Sequence, residues 1–321
     1  MPIFSILITV FGLVLFEIIS SIDNAIINAE VLGTMQARAR RWFLVWGLLF
    51  AVFIMRGLLP WAIVWATNST LGPIGALTAT FSNDPRIHES IEATAPILLT
   101  GGGVFLVLLF FHWLFMEPKN YGLRGERFFH RQSVWFYAVA SVLLAGIVYS
   151  ALQINPMMAF SAVLGSTAFF ITHGFKQSAE REEAKLLDKR RSDISKIFYL
   201  EVIDATFSID GVLGAFAFTL SVPLILLGNG IGAVVLRQMT VGNIERIKKY
   251  KFLKNGAMYS IFSLGSIMLL DAFGIHIPAW VSPVVTTGMV GYFFHKSRID
   301  LKTIETAIQT AKPQRRKTKS Q

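Results

Sequence analysis

Residues 93–116 read ATAPILLTGGGVFLVLLFFHWLFM. This run carries no Asp, Glu, Lys or Arg, and a helix of about 20 such residues crosses the roughly 30 Å hydrocarbon core of a bilayer. Working outward, eight further apolar runs lie at roughly 3–33, 42–66, 134–152, 156–175, 197–219, 223–242, 255–273 and 279–295. Composition agrees with them. The chain has 321 residues, 53% hydrophobic and 16% charged, with 27 Phe. Its mean hydropathy is +0.55. Soluble domains carry about 25% charged residues. An ordinary soluble enzyme, a disordered chain and a coiled coil are excluded. The prediction is an all-α polytopic membrane protein with about nine transmembrane helices. There is no cysteine, so disulfides, thiolate catalysis and sulfur-ligated metals are excluded. Any metal must rest on oxygen or imidazole.

The basic residues test the span count. With nine spans, one side receives Arg38, Arg40 and Arg41, four basic residues in 117–133, seven in 176–196, five in 244–254 and eight after 295. The other side receives Arg86 alone, and Arg56 and Arg237 fall inside spans. That bias places the basic loops in the cytoplasm, the N-terminus outside and the C-terminus inside, in a plasma (inner) membrane. The net charge of +10 is thereby topogenic, and no nucleic-acid partner is needed to explain it. The N-terminus lacks the positive flank and the cleavage pattern of a signal peptide. Four segments follow. A first membrane half covers 1–175, with its motif helix at 3–33. Loop 176–196 is expected to be a short solvated helix. A second half covers 197–295, with its motif helix at 197–219. The basic tail, 296–321, is expected to begin helical and then become disordered.

Each half opens on a similar motif, FEIISSIDNAIINA at 16–29 and VIDATFSIDGVLGA at 202–215. Ser21 aligns with Ser208, Asp23 with Asp210, Asn24 with Gly211, and Glu17 with Asp204. In the following span of each half, Gly47 precedes Arg56 by nine residues, as Gly228 precedes Arg237. Five spans separate the starts of the two motifs, so their helices are expected to run in opposite directions. That is an inverted-topology internal repeat, an architecture common among secondary transporters.

Glu17, Asp23, Glu201, Asp204 and Asp210 fall in or near the membrane interior. A carboxylate at the centre of a span costs about 2.5–3.5 kcal/mol on insertion scales, so such residues mark a functional site by default. At about 100° per residue, Glu17, Ser21 and Asn24 share a face, as do Asp204, Ser208 and Gly211. Asp23 and Asp210 point elsewhere. A local break, permitted by Gly211 and Gly214 in one motif and by Asn24 and Asn28 in the other, would bring all the acids together. Carboxylates beside unwound carbonyls form an oxygen cage suited to Mn²⁺, Ca²⁺ or Mg²⁺. Two other readings stay open: Arg56 and Arg237 neutralise the acids in structural salt bridges, or the acids protonate and relay protons. His112 and His173 read as interhelical hydrogen-bonding groups. Gly101, Gly102 and Gly103 read as sites of close helix approach, and Asp84, Glu89 and Glu92 as solvated acids. Asp271 and His276 flank the outer ends of the last two spans.

At these motifs the chain resembles the TerC family, within the LysE-like group of transporters. The resembling residues are Glu17, Ser21-Ile22-Asp23-Asn24, Asp204 and Phe207-Ser208-Ile209-Asp210-Gly211. Supporting blocks are Arg38-Ala39-Arg40-Arg41 with Gly47 and Arg56, Lys254-Asn255-Gly256, and His276-Ile277-Pro278-Ala279-Trp280. The resemblance implies a role in metal-ion homeostasis or tellurite resistance, with export of Mn²⁺ as the expected activity. It implies Glu17, Asp23, Asn24, Asp204 and Asp210 as ion ligands, with Glu201 as a further candidate and Arg56 and Arg237 as gates or counter-charges. The expectation is a transporter rather than an enzyme. Its partners would be the bilayer and a transported divalent cation, with no prosthetic group. A membrane scaffold for a metal- or tellurite-stress complex is the alternative, and a homodimer stays open.

Overall fold

A computed structural model describes residues 3–67, 70, 72–78, 85–186 and 192–317. Among these residues the chain is helical and holds no strand. It opens with α1 (Ile3–Ser20) and α2 (Ile22–Gly33). A stretch from Ala37 to Thr67 follows, built from α3 (Ala37–Trp42), α4 (Leu48–Phe50) and α5 (Leu59–Thr67). Wide π-helical turns at Phe43–Gly47 and Ala51–Leu58 join its pieces. Next come α6 (Gly72–Thr78), α7 (Pro85–Met116), α8 (Glu126–Arg131), α9 (Trp135–Leu152) and α10 (Pro156–Leu186). The chain ends with α11 (Asp193–Ala215), α12 (Val222–Lys248), α13 (Leu253–Ala272) and α14 (Val281–Lys317).

Six described stretches are long and apolar enough to cross a membrane: Ile3–Ser20, Ala37–Thr67, Glu92–Met116, Trp135–Leu152, Pro156–Ser178 and Val222–Met239. The protein is therefore of the multi-pass helical membrane class. Helices also occupy the places of the remaining apolar runs, as α11, α13 and α14. Glu201, Asp204 and Asp210 interrupt the apolar surface of α11. The outer surface suits lipid. Val142 is 73% exposed, Tyr149 68% and Phe175 63%, an apolar display that water would drive to associate.

α7 is the central post, packed between α13 and α10. Its Phe105, Leu106 and Trp113 are fully buried. Small residues permit that closeness, as Gly101–Gly103 led us to expect. A Cβ on Gly165 would run into the Gly101 carbonyl, and one on Gly265 would lie 3.1 Å from the Gly103 carbonyl oxygen.

The basic segments gather at one end. Thr34 accepts from Lys196 at 2.8 Å, and Lys248 pairs with Glu30 at 2.5 Å. Lys254 pairs with Glu117 at 3.0 Å, Asn255 donates to the Asn120 carbonyl, and Lys251 pairs with Asp300 at 2.6 Å. A cavity of about 500 Å³ lies at the other end, bounded by Glu92, Phe216, Phe218, Asp271 and His276. Two expectations are corrected here. The segment after 176 is no separate helix, because α10 continues unbroken to Leu186. The tail stays helical to Lys317. After 176 and after 295 the exit from the apolar run meets good helix formers, and α14 continues past Pro313.

Candidate functional site

α1–α2 and α11 cross antiparallel. A Cβ on Gly214 would strike Phe16, Asn24 bonds Asp204, and Thr34 bonds Lys196, so numbers rise on one segment as they fall on the other. Glu17 sits at this crossing, 1% exposed. Its Oε1 accepts from Arg56 Nε at 2.9 Å and from Nη2 at 2.5 Å. Ser21 Oγ donates to the same oxygen at 3.0 Å. The other face of the Arg56 guanidinium reaches toward Asp204, with Nη1 3.9 Å from Oδ2. Nη1 also donates to the Ala51 carbonyl at 3.2 Å. Arg56 therefore bridges the two carboxylates that the motif alignment sets opposite each other. The wide turns over Ala51–Leu58 carry it there, and its residue is 2% exposed. Such widened turns cluster at functional sites.

Asn24 donates through Nδ2 to Asp204 Oδ1. Its own Oδ1 is buried without a hydrogen-bond partner, as is Asn28 Oδ1. Both asparagines face a cavity of about 20 Å³, bounded also by Ala51, Arg56, Asp204 and Arg237. That is room for one water-sized particle. Gly211 serves close approach across the crossing rather than the unwinding expected of it. A Cβ there would lie 3.0 Å from Glu17 Oε2.

Glu201 stands one turn of α11 toward the basic end. Both its carboxylate oxygens are buried and unpartnered. It meets Arg237 over Gly47, where an added Cβ would overlap Glu201 Oε1 and lie 3.0 Å from Arg237 Nη2. Arg237 donates to the Phe43 carbonyl at 3.1 Å and lies 4.3 Å over the Phe43 ring. Among the described residues, three carboxylates (Glu17, Glu201, Asp204) thus lie near two guanidiniums, one negative charge in excess when all are ionised.

Asp210 does not join them. It faces a separate cavity of about 30 Å³, together with Glu117, Lys176 and Lys254. The expected unwinding explains the difference. α11 stays continuous through Gly211 and Gly214, and Ser208 Oγ bonds the Asp204 carbonyl in regular fashion at 2.7 Å. A regular helix keeps Asp210 about 120° from Asp204. The first motif does break, at Ser21, where α1 gives way to α2. That break is slight, because Ser21 N–H still bonds the Glu17 carbonyl and Ala25 N–H the Ser21 carbonyl. The Asp23 side chain lies outside the described residues, as do those of Phe207 and Glu89 and the whole of Asp84. Among the described residues no three His, Asp or Glu side chains are grouped to hold one metal ion.

The Asp210 cavity belongs to a second network. The His112 and His173 rings meet at 3.8 Å between centroids, tilted by 49°, and His112 Nδ1 lies 3.7 Å from Glu117 Oε1. Burial opposes charge on Glu117, which lies just past the end of α7. His112, Lys176 and Lys254 outweigh burial and hold its carboxyl well below 4.5. At the opposite end His276 Nδ1 bonds Asp271 at 3.1 Å. Sequence reading passed over Asn229, which is 0% exposed with neither amide atom partnered. An amide inside an apolar span, flanked by Gly228 and Gly230, was the available signal.

Phe16 packs on Phe218 at 5.7 Å between centroids. Phe218 also bounds the 500 Å³ cavity. Phe16 directly precedes Glu17 on α1, so this contact links the segment bearing Glu17 to a residue that bounds the cavity.

The chain matches the family described as protein of unknown function (DUF475) over residues 22–303. No curated protein and no solved structure matches it.

Proposed function

The chain belongs to the family described as protein of unknown function (DUF475), and on that premise we propose that it is a membrane transporter for a divalent cation, with Mn²⁺ as the expected cargo. The observation that carries this reading is the 20 Å³ cavity at the motif crossing, which joins Asp204 to two amide oxygens without partners. Glu17 supplies a second carboxylate through the Arg56 bridge. Carboxylate and amide oxygens are hard donors, suited to Mn²⁺, Ca²⁺ or Mg²⁺. The TerC resemblance adds manganese and the direction of export.

Arg56 and the cargo compete for the same oxygens. The guanidinium neutralises both acids, and an arriving cation displaces it, so Arg56 acts as an internal counter-charge. Arg237 plays the same part toward Glu201. The antiparallel crossing of the motif helices supports an inverted repeat of nine spans, N-terminus out and C-terminus in, whose halves rock about the site. The unmatched carboxylate charge suits a counter-transported proton.

Flux into proteoliposomes holding a Mn²⁺-sensitive dye tests the proposal. Wild-type protein is expected to carry Mn²⁺ inward down its gradient. Asp204→Asn is expected to abolish that flux, and Glu30→Gln, at an exposed surface pair, to preserve it. Wild-type flux no faster than in protein-free vesicles, or full flux through Asp204→Asn, overturns it. The second reading, a membrane scaffold of a stress-resistance complex, is favoured by how completely Arg56 satisfies Glu17. It predicts that metal tolerance survives Asp204→Asn in cells.

A further inference from the structure

Where α2, the loop after α7 and the α12–α13 corner meet, they enclose a cavity of about 220 Å³ at the basic end. Its lining combines the apolar side chains of Ile22, Ile26 and Leu253 with Lys119, Lys248, Lys251 and Lys254. Among the described residues that bound the cavity none is a carboxylate. Glu30, Asp300 and Glu117 pair with Lys248, Lys251 and Lys254 and are not among the residues that bound it.

Lys119 is placed differently from the other three. No carboxylate lies within ion-pair range of it among the described residues. Its ammonium donates to the Trp113 carbonyl and, at 2.7 Å, to the Leu114 carbonyl at the end of α7. It also lies 4.0 Å over the Trp113 ring. Burial pulls it from 10.5 down to about 8. Glu126 and Glu117 oppose that pull, and Lys254 adds to it. Lys248, Lys251 and Lys254 each meet a carboxylate, whereas Lys119 meets only backbone carbonyls and a ring among the described residues, and an anion seated in the cavity would supply its counter-charge.

We propose that this cavity binds a phosphate group, presented by an anionic phospholipid headgroup or as free phosphate. Lysine ammoniums are compact charges with rotatable donors, suited to a phosphate of variable approach. The site lies where spans α7 and α13 leave the apolar layer, the depth at which basic pockets between membrane helices meet headgroups. The apolar side chains of Ile22, Ile26 and Leu253 give the first carbons of a lipid a place to lie. Ile22 and Ile26 flank Asn24 on α2, so a bound phosphate ties this motif segment to the α12–α13 corner.

Thermal unfolding of the full-length protein in detergent tests the site with three probes: dioctanoyl phosphatidylglycerol, dioctanoyl phosphatidylcholine and inorganic phosphate. The expected result is a saturable rise in midpoint with phosphatidylglycerol or phosphate, and none with the zwitterionic lipid. Saturation by the lipid alone identifies a headgroup site, and saturation by phosphate identifies a site for the free anion. Lys119→Gln and Lys251→Gln should each raise the half-saturating concentration about tenfold, the loss of one charge-assisted contact. Lys251→Arg and the distant Lys302→Gln should leave it unchanged. Lys119 also caps α7, so if Lys119→Gln fails to fold, Lys251→Gln decides. No saturable rise with either anion, or a rise indifferent to the lysine changes, overturns the proposal.

Discussion

Arg56 has one side chain between two buried acids, and its removal exposes what it was holding. Truncating one partner of a buried ion pair leaves the other charged and unsatisfied, at a cost of about 3–5 kcal/mol. Arg56→Met is therefore expected to lower the unfolding midpoint in detergent sharply. Adding Glu17→Gln to it should recover a large part of the loss, because Glu17 Oε1 takes two of its bonds from the guanidinium. Equal midpoints for the single and double variants would show that Arg56 is not neutralising Glu17. Glu117 makes a prediction of opposite geometry, at the membrane boundary. Its folded carboxyl is held well below 4.5. Its stabilising contribution is thus fully present above its ordinary value and is lost as pH falls through the depressed one. Midpoints measured across the acid range should fall less steeply for Glu117→Gln than for wild type.

At the scale of the helix, regularity decided what the acids can do. The sequence angles already turn Asp210 about 120° from Asp204, and α11 obeys them. A break at Gly211 was the mistaken step, because α11 stays continuous there and the glycine lies where a Cβ would crowd Glu17 Oε2 across the crossing. Such crowding is invisible in the chain of α11 alone. The wide turns over Ala51–Leu58 were marked only by Gly57, which gives no sign of how the turns widen, yet they carry Arg56 to its partners. Helix contacts separate the glycines into two kinds. Gly165 lies against the Gly101 carbonyl, whereas a Cβ on Gly146 meets nothing within 4 Å. Gly165→Ala must push α10 off α7 and should cost about 1–3 kcal/mol. Gly146→Ala should be neutral or stabilise by up to about 1 kcal/mol through helix propensity. Paired unfolding curves distinguish them, and an equal effect at both positions would contradict the packing described.

Over the whole molecule, the readable features were those set by the bilayer. Long apolar runs had to become helices, because lipid leaves backbone groups no other partner. The loops rich in arginine and lysine were read as sharing one side, and in the fold Thr34, Glu117, Lys196, Lys251 and Lys296 do meet at one end. Which acids share a cavity was not readable, because it depends on how distant spans cross. The chain has no cysteine, so single cysteines report sidedness without background. Arg124→Cys and Lys302→Cys are expected to resist an impermeant maleimide in intact cells and to react in inverted vesicles. Ile275→Cys should behave the opposite way. Reaction of all three from the same side would refute the shared end.

The Phe16–Phe218 contact bears on how the segment carrying Glu17 could move. Both rings are buried, and Phe16 lies hard against Gly214 on α11, so neither ring can swing without its helices shifting. On the proposed reading, any opening here would follow collective helix displacement, on the microsecond-to-millisecond scale, rather than the faster hops of exposed side chains.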